Sequence, residues 1–145
     1  MTDDACPLPA PTAPDEDAII RQLLQARRIA IVGLSNDTSR PSHEIGRYLL
    51  EQGYEILPVN PNHSTVLGRR CYRSLAEITD AFDIVNVFRR PGFCEGVTRE
   101  AIAAGARGVW LQAGITNQAA AQLAADAGIP FIQNRCIMVE HTRRK

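Results

Sequence analysis

Residues 29–46 read IAIVGLSNDTSRPSHEIG, and this stretch decides the fold. An apolar, β-branched run ends in Gly33, a polar loop follows, and Pro41 opens a helical pattern. A strand that ends in glycine and leads into a helix is typical of nucleotide-binding α/β proteins. The second and third glycines of the usual dinucleotide motif are absent, so this loop must hold any ligand in another way.

The same alternation of strand and helix continues along the chain. Four further apolar runs, separated by helical patterns, read YEILPV, DIVNVF, VWLQAG and IPFIQN. One separating helix is expected over residues 74–81, where Ser74 and Glu77 have the spacing of a capping box. Left-handed residues are expected to end the helices at Gly53, Gly105 and Gly128. The pattern predicts a doubly wound, Rossmann-like α/β fold, with about five parallel strands and helices on both faces of the sheet.

The domain is expected to begin after residues 1–14, MTDDACPLPAPTAP, which are rich in proline and lack periodicity. Such a composition predicts a disordered tail. Residues 15–145 are expected to form one domain, because a chain of 145 residues supports a single hydrophobic core. Acidic residues at positions 15–17 suit the start of a first helix.

The composition argues against several classes of function. The 16 basic and 16 acidic residues cancel, so no broad field would attract nucleic acid or an anionic membrane. No apolar run reaches the roughly 18 residues of a membrane span, and no export signal is evident, so we expect a cytoplasmic protein with reduced thiols. The cysteines and histidines are scattered, which predicts no metal site.

The carboxyl ends of the strands are the expected ligand site, because parallel strands end together at one edge of the sheet. At the first strand end, Gly33 would let the backbone approach a ligand closely. The residues expected at this strand end are Gly33, Leu34 and Ser35.

The start of the next helix is the second expected element of the site. Pro41 suits the first helical position and would make Arg40 the N-cap. Arginine offers no capping oxygen, so the amides of Ser42 and His43 would stay free for a phosphate, aided by the Ser42 hydroxyl and the guanidinium. In the alternative, Ser39 caps the helix and Arg40 is only solvated.

The second strand ends in Val59, Asn60 and Pro61. An NAD enzyme needs an acidic residue about 20 residues beyond the glycine motif to bind the ribose, and none stands at this strand end. Val59 would supply an apolar wall, and the Asn60 amide can donate to and accept from a sugar or base. A plain turn is the alternative, because Asn and Pro are common turn residues.

At the third strand end, Phe88 can line an adenine pocket beside the positive charge of Arg89 and Arg90. The alternative is a core phenylalanine followed by a solvated pair of arginines.

With these residues considered together, residues 28–141 resemble the CoA-binding domain family, small proteins similar to the N-terminal domain of the succinyl-CoA synthetase alpha subunit. The resemblance rests on the order of IAIVGLS, the triplet at residues 40–42, YEILPVNP, DIVNVFR, EAIAAGA, VWLQAGI and NRC.

This resemblance implies that the ADP part of coenzyme A lies over the strand ends. The phosphates would lie near Gly33 and Arg40, and the adenosine between the turn at residues 59–61 and the Phe88-Arg89 pair. Gln112 and Gly114 would flank the pantetheine arm.

One position departs from many relatives, which have a lysine where this chain has Asn62. His63, Arg69 or Arg70 could replace that lysine as the contact to the ribose 3′-phosphate.

These observations favour a CoA-binding or acyl-CoA-binding protein with a non-catalytic or accessory role. The alternative is an NAD(P)-dependent oxidoreductase or another nucleotide-binding enzyme. A third hypothesis is a thiol carrier, in which Cys94 or Cys136 forms a mixed disulfide with coenzyme A. The protein partner and the oligomeric state stay open.

Overall fold

A computed structural model of the protein describes residues 14–145. The predicted tail at residues 1–14 therefore lies outside the described residues, except for Pro14. The strands are β1 (Arg28–Val32), β2 (Glu55–Val59), β3 (Thr65–Val66), β4 (Arg69–Arg70), β5 (Ile84–Val87), β6 (Val109–Leu111) and β7 (Phe131–Ile132). The α-helices are α1 (Pro14–Leu24), α2 (Pro41–Glu51), α3 (Pro91–Ala103), α4 (Gln118–Ala127) and α5 (Ile137–Arg143).

Five of the strands form one parallel sheet in the order β2-β1-β5-β6-β7, which confirms the predicted doubly wound α/β fold. The chain moves from β1 outward to β2 and then crosses to β5 on the other side of β1. The strand order therefore reverses between β1 and β5, and a crevice opens at such a switch point above the carboxyl ends of the strands.

Each face of the sheet carries its own apolar layer, because alternate strand residues point to opposite faces. On one face, Ile29 and Ile31 of β1 share a cluster with residues of α1, α2 and α5. On the other face, Ala30 and Val32 share a cluster with residues of α3 and α4. Helices thus cover both faces, as predicted.

The helix expected over residues 74–81 is reduced to a single 3-10 turn, Leu75–Glu77. Leu75 is the only residue of that turn that is buried, so a longer helix would have little apolar surface to pack. The capping-box prediction is also wrong. Ser74 makes no side-chain capping bond, and Glu77 Oε1 accepts from the Arg73 amide at 3.0 Å.

Other local predictions are confirmed, and two elements were missed. Positive φ angles occur at Gly53 (+98°), Gly105 (+85°) and Gly128 (+71°). The short β3–β4 hairpin and helix α5 were not predicted. Both are too short for a hydrophobic period to identify them.

An ion cluster around the buried Glu140 joins α5 to α1, and its members are Glu16, Asp17, Arg135, Glu140, Arg143 and Arg144. Glu140 is fully buried and contacts three arginines, at 2.7 Å from Arg144, 3.2 Å from Arg143 and 3.5 Å from Arg135. Arg135 and Arg144 also reach Glu16 and Asp17 on α1. A buried carboxylate needs such partners, because an unpaired charge in the interior is strongly destabilising.

Candidate functional site

A cleft of about 770 Å³ opens at the carboxyl ends of β1, β2 and β5, where the strand order reverses. The sequence-predicted residues that line it are Gly33, Ser35, Arg40, Val59, Asn60, Pro61, Phe88 and Arg89. The structure therefore gathers three separate strand ends into one site.

Gly33 is required by the packing of the strand ends. Its φ is +90°, and a Cβ at this position would lie 2.5 Å from the carbonyl oxygen of Phe88. Its amide donates to Val59 O at 2.8 Å, and the Phe88 amide donates to Val32 O at 2.8 Å. A side chain would push these three strand ends apart, so the glycine shapes the cleft floor.

The loop after Gly33 is structured by its own polar side chains. The Ser42 hydroxyl is buried and accepts from the Ser35 amide at 3.1 Å. Asp37 accepts from the Ser39 hydroxyl at 2.7 Å and from the Ser39 amide at 2.9 Å. These hydrogen bonds, together with the nearby Arg40, hold the pKa of Asp37 below its usual value. Ser42 thus organises the loop from beneath the cleft.

Arg40 is the N-cap of α2, as predicted, with extended backbone angles and no side-chain capping bond. Ser39 bonds to Asp37, so the alternative Ser39 cap does not form. One part of the prediction is wrong, because the His43 amide donates to Arg40 O at 3.1 Å and is not free. The Arg40 side chain is 70% exposed, and its Nε lies 3.9 Å from Asp37, a contact worth little in water.

The turn after β2 is tied to the first loop by Asn60. The Asn60 amide nitrogen donates to Leu34 O at 3.1 Å, and its oxygen accepts from the Asn62 amide at 2.9 Å. Both polar ends of this side chain therefore have partners within the protein, as in the plain-turn alternative. Leu34 is fully buried, so it packs in the core and does not line the cleft.

The cleft is strongly basic on its remaining sides. The cleft is also lined by His63 and Arg90, which were already candidates from the sequence. The lining residues that were not predicted are Val32, Asn62, Arg73, Ser74, Phe93, Gly96, Val97 and Glu100. Within residues 14–145, Arg73, Arg89 and Arg90 have no carboxylate partner. Several arginines elsewhere, such as Arg28 and Arg99, contact a carboxylate. Cations that lack a carboxylate partner and converge on one concave site favour an anionic ligand.

Arg69 and Arg70 lie on β4 and are not among the residues that line the cleft. The Arg70 guanidinium instead stacks over the Tyr72 ring, 4.8 Å from its centroid. Of the three residues expected to replace the missing lysine, His63 is thus the one at the cleft. Arg73 reaches it because Val59 and Tyr72 form a bridge beside β2. No local sequence signal identifies that contact.

A helical period could have identified the third wall. Phe93, Val97 and Glu100 recur at intervals of four and three residues along α3, and all three line the cleft. Such spacing places side chains on one face of a helix. The helix begins directly after Arg89 and Arg90, so its first turns had to lie beside them.

Gln112 and Gly114 lie outside the residues that line the cleft. Gln112 is buried, and its Oε1 accepts from Asn86 Nδ2 at 3.1 Å and from the Ile137 amide at 2.9 Å. The Gly114 amide donates to Asn134 Oδ1 at 2.7 Å. Both residues have structural roles next to β6, and their contact with a pantetheine arm stays a prediction.

The buried cysteines argue against a thiol carrier. Cys94 is fully buried and Cys136 is nearly so. Burial raises the pKa of the Cys94 thiol and outweighs the effect of the nearby Arg89, whereas a reactive cysteine needs a lowered pKa.

The described part of the chain contains no group of His, Cys, Asp and Glu residues placed to hold a metal ion. Across residues 14–145, every helix is too short or too polar to cross a bilayer.

Rossmann-like proteins commonly bind their ligands at the switch point of the sheet, and the basic cleft of this protein lies at that position. The chain belongs to the family described as the CoA binding domain, whose model matches residues 27–142. This membership confirms the resemblance in the sequence.

The chain is similar to whole proteins of its own size and to one part of larger enzymes. It is 41% identical over 129 residues to YneT of Bacillus subtilis (strain 168), covering 88% of this chain and 96% of YneT. A solved structure of a hypothetical protein from Pyrococcus horikoshii OT3 matches with a TM-score of 0.84 and 37% identity, over 98% of both chains. An ADP-forming acetate–CoA ligase II of Archaeoglobus fulgidus is 33% identical over 75 residues, 50% of this chain but 10% of the ligase.

Proposed function

We propose that this protein binds coenzyme A or an acyl-CoA in the cleft at the strand ends, without a catalytic step of its own. The observation that carries the proposal is the set of partnerless arginines, Arg73, Arg89 and Arg90, around one concave site. Membership of a CoA-binding family supports the choice of ligand. Coenzyme A has a diphosphate and a separate ribose phosphate, and this charge matches a cleft with basic residues on several sides.

The diphosphate is assigned to the side of the cleft formed by the Gly33 loop, Arg40 and Arg89. Arg40 has no capping role for its side chain, which is 70% exposed, so the guanidinium can turn toward a phosphate at little cost. A bidentate arginine–phosphate contact is among the stronger hydrogen-bonding arrangements in proteins. The adenosine is assigned to the apolar wall formed by Val59, Pro61 and Phe88.

The ribose 3′-phosphate is assigned to Arg73 and His63. The family resemblance implies a lysine at the position of Asn62, and both Arg73 and His63 line the cleft beside it. Arg73 has no carboxylate partner among residues 14–145, so its charge is available to a ligand. Arg69 and Arg70 are not proposed for this contact.

The cleft supports binding better than catalysis. Among residues 14–145, Glu100 is the only carboxylate that lines it. General acid–base catalysis by paired carboxylates needs a second such group within reach, and nucleophilic catalysis needs a nucleophile beside a base. An NAD(P) oxidoreductase is disfavoured as well, because residues 59–61, where β2 ends and the next turn begins, include no acidic side chain for the ribose.

Isothermal titration calorimetry with coenzyme A tests the proposal. Wild-type protein should bind, and Arg40→Ala should weaken binding about tenfold, the loss of one charge-assisted contact. Arg99→Ala is the matched control, since Arg99 pairs with Glu95 on the outside of α3. Titration of NADH fluorescence, with coenzyme A as competitor, distinguishes coenzyme A binding from the alternative of NAD(P) binding. The absence of measurable binding of millimolar coenzyme A to the wild-type protein would refute the proposal.

A further inference from the structure

Phe93 is a large apolar side chain exposed at a polar cleft. Half of its surface (50%) is accessible, and no other large hydrophobic side chain among residues 14–145 is exposed. A single exposed phenylalanine needs no functional explanation by itself. Here a second observation applies, because the guanidinium carbon of Arg89 lies 4.3 Å from the centroid of the Phe93 ring. This distance is within the range of a cation–π contact.

The backbone of the turn that carries Arg89 is also held in place. Cys94 Sγ lies 3.7 Å from Arg89 O and 3.6 Å from Arg90 O, so the buried thiol contacts both carbonyl groups. Asn117 Nδ2 donates to the carbonyl of Pro91 at 2.8 Å. With the backbone held from beneath, the guanidinium is the part of Arg89 that still needs to be positioned.

Arg89 and Arg90 differ in how firmly their side chains are held. Arg89 is half-buried and stacked on Phe93, whereas Arg90 is exposed. Neither has a carboxylate partner among residues 14–145. Stacking uses the flat face of a guanidinium and leaves its N–H edges free to donate. Arg89 therefore combines a fixed plane with available donors, the arrangement that suits a bidentate contact to phosphate.

We propose that Phe93 is a positioning residue for phosphate binding, which holds the Arg89 guanidinium in the cleft through a cation–π contact. The inference rests on the proposed binding of coenzyme A. Phe93 acts through Arg89, so it lowers the entropy that Arg89 loses when a phosphate binds. The ring itself need not touch the ligand.

A double-mutant cycle measured by calorimetry with coenzyme A tests this coupling. We expect Arg89→Ala to weaken binding about tenfold or more and Phe93→Ala to weaken it about threefold. In the Arg89→Ala background, removing Phe93 should change the affinity by less than about 1.5-fold, because the coupled partner is already absent. Arg99→Ala on the same helix serves as the control.

Conservative variants of Phe93 distinguish an effect of its aromatic face on Arg89 from an effect of its side-chain volume alone. Phe93→Trp keeps an aromatic face and should restore near wild-type affinity, whereas Phe93→Leu keeps the apolar volume and should bind as weakly as Phe93→Ala. Without ligand, NMR should show the Arg89 side-chain protons shifted upfield by the ring current, and Phe93→Leu should remove that shift.

Three results would overturn the inference. The first is an equal loss of coenzyme A affinity on Phe93→Ala in the wild-type and in the Arg89→Ala backgrounds, which would mean that the ring contacts the ligand directly. The second is wild-type affinity in Phe93→Leu, and the third is the absence of a ring-current shift in the free protein. Failure of the wild-type protein to bind coenzyme A is a different outcome, which defeats the proposed function and, with it, the role of Phe93.

Discussion

Replacing Gly33 with alanine isolates the contact that shapes the cleft floor. Gly33 has a φ of +90° and would place a Cβ 2.5 Å from Phe88 O. Gly53 is a matched control, because its φ is +98° and a Cβ there would meet nothing within 4 Å. The two substitutions thus share a backbone penalty and differ in the clash.

The expected magnitudes follow from these two terms. A left-handed backbone costs alanine about 1–2 kcal/mol, and this is the whole effect expected for Gly53→Ala. Gly33→Ala adds the cost of overpacking against a backbone carbonyl, about 1–3 kcal/mol. Phe88 O cannot move easily, since the Phe88 amide donates to Val32 O and so anchors this residue to β1. We therefore expect Gly33→Ala to destabilise the protein by about 2–5 kcal/mol in total.

Urea unfolding followed by circular dichroism measures both free energies of unfolding. The informative quantity is the difference between the two variants, because the shared backbone term cancels. Equal destabilisation by Gly33→Ala and Gly53→Ala would refute the argument that Gly33 is required by its approach to Phe88. A folded Gly33→Ala variant should also bind coenzyme A more weakly, since its strand ends are displaced.

Three further predictions concern a binding contact, a pH dependence and a buried charge. Arg73→Ala should weaken the binding of coenzyme A about tenfold and leave the binding of dephospho-coenzyme A nearly unchanged, because Arg73 is assigned to the ribose phosphate. Calorimetry with both ligands measures this difference in affinity. Burial opposes ionisation of Asp83, but backbone amides and neighbouring arginines outweigh it and lower its pKa. Its stabilising contribution is therefore present above the unfolded value of about 3.9 and is lost as the pH falls through the lower folded pKa. Asp83→Asn should reduce the loss of stability between about pH 5 and pH 2, measured by urea unfolding at each pH. Glu140→Ala should destabilise the protein by about 3–5 kcal/mol, because it removes the buried carboxylate that Arg135, Arg143 and Arg144 share.

Each of these predictions has a control and a contrary result. Arg69 lies on β4 outside the cleft, so Arg69→Ala should leave the affinity for both ligands unchanged. An equal loss of affinity for both ligands in Arg73→Ala would contradict the phosphate assignment. Parallel pH curves for wild type and Asp83→Asn would exclude a contribution from Asp83. Glu51→Ala removes an exposed ion pair and should cost less than about 1 kcal/mol. A similarly small effect of Glu140→Ala would contradict its role in the ion cluster.

The parts of the site that follow one strand end could be predicted from local sequence. Gly33 and the turn at residues 59–61 each lie next to an apolar run whose period and length identify a strand, and Arg40 directly precedes Pro41, which marks the start of a helix. Their chemistry was harder to predict, because a polar side chain can bond to the ligand or to the protein. Asn60 and Ser42 bond to neighbouring loops, and sequence alone offered no means of weighing those partners.

The residues that were missed come from segments whose position depends on packing across the fold. Arg73 reaches the cleft through the bridge between Val59 and Tyr72, and Phe93 depends on the direction in which α3 leaves β5. The Arg73 contact has no short-range signal, and the helical period that includes Phe93 identifies a helix face without saying that this face turns toward the cleft, since the segments come together only when the sheet has formed.

The amino-acid sequence by itself determined the alternation of strands and helices and the parallel sheet, and it predicted the edge of the sheet as the ligand site. Hydrophobic period, glycine and proline act over a few neighbouring residues, so these features can be read locally. The tertiary structure alone decided which arginines lack a carboxylate and which pair with one, and so where a ligand would find available charge. That distinction depends on distances of a few ångströms between segments far apart in the chain, and electrostatic energy varies steeply with such distances.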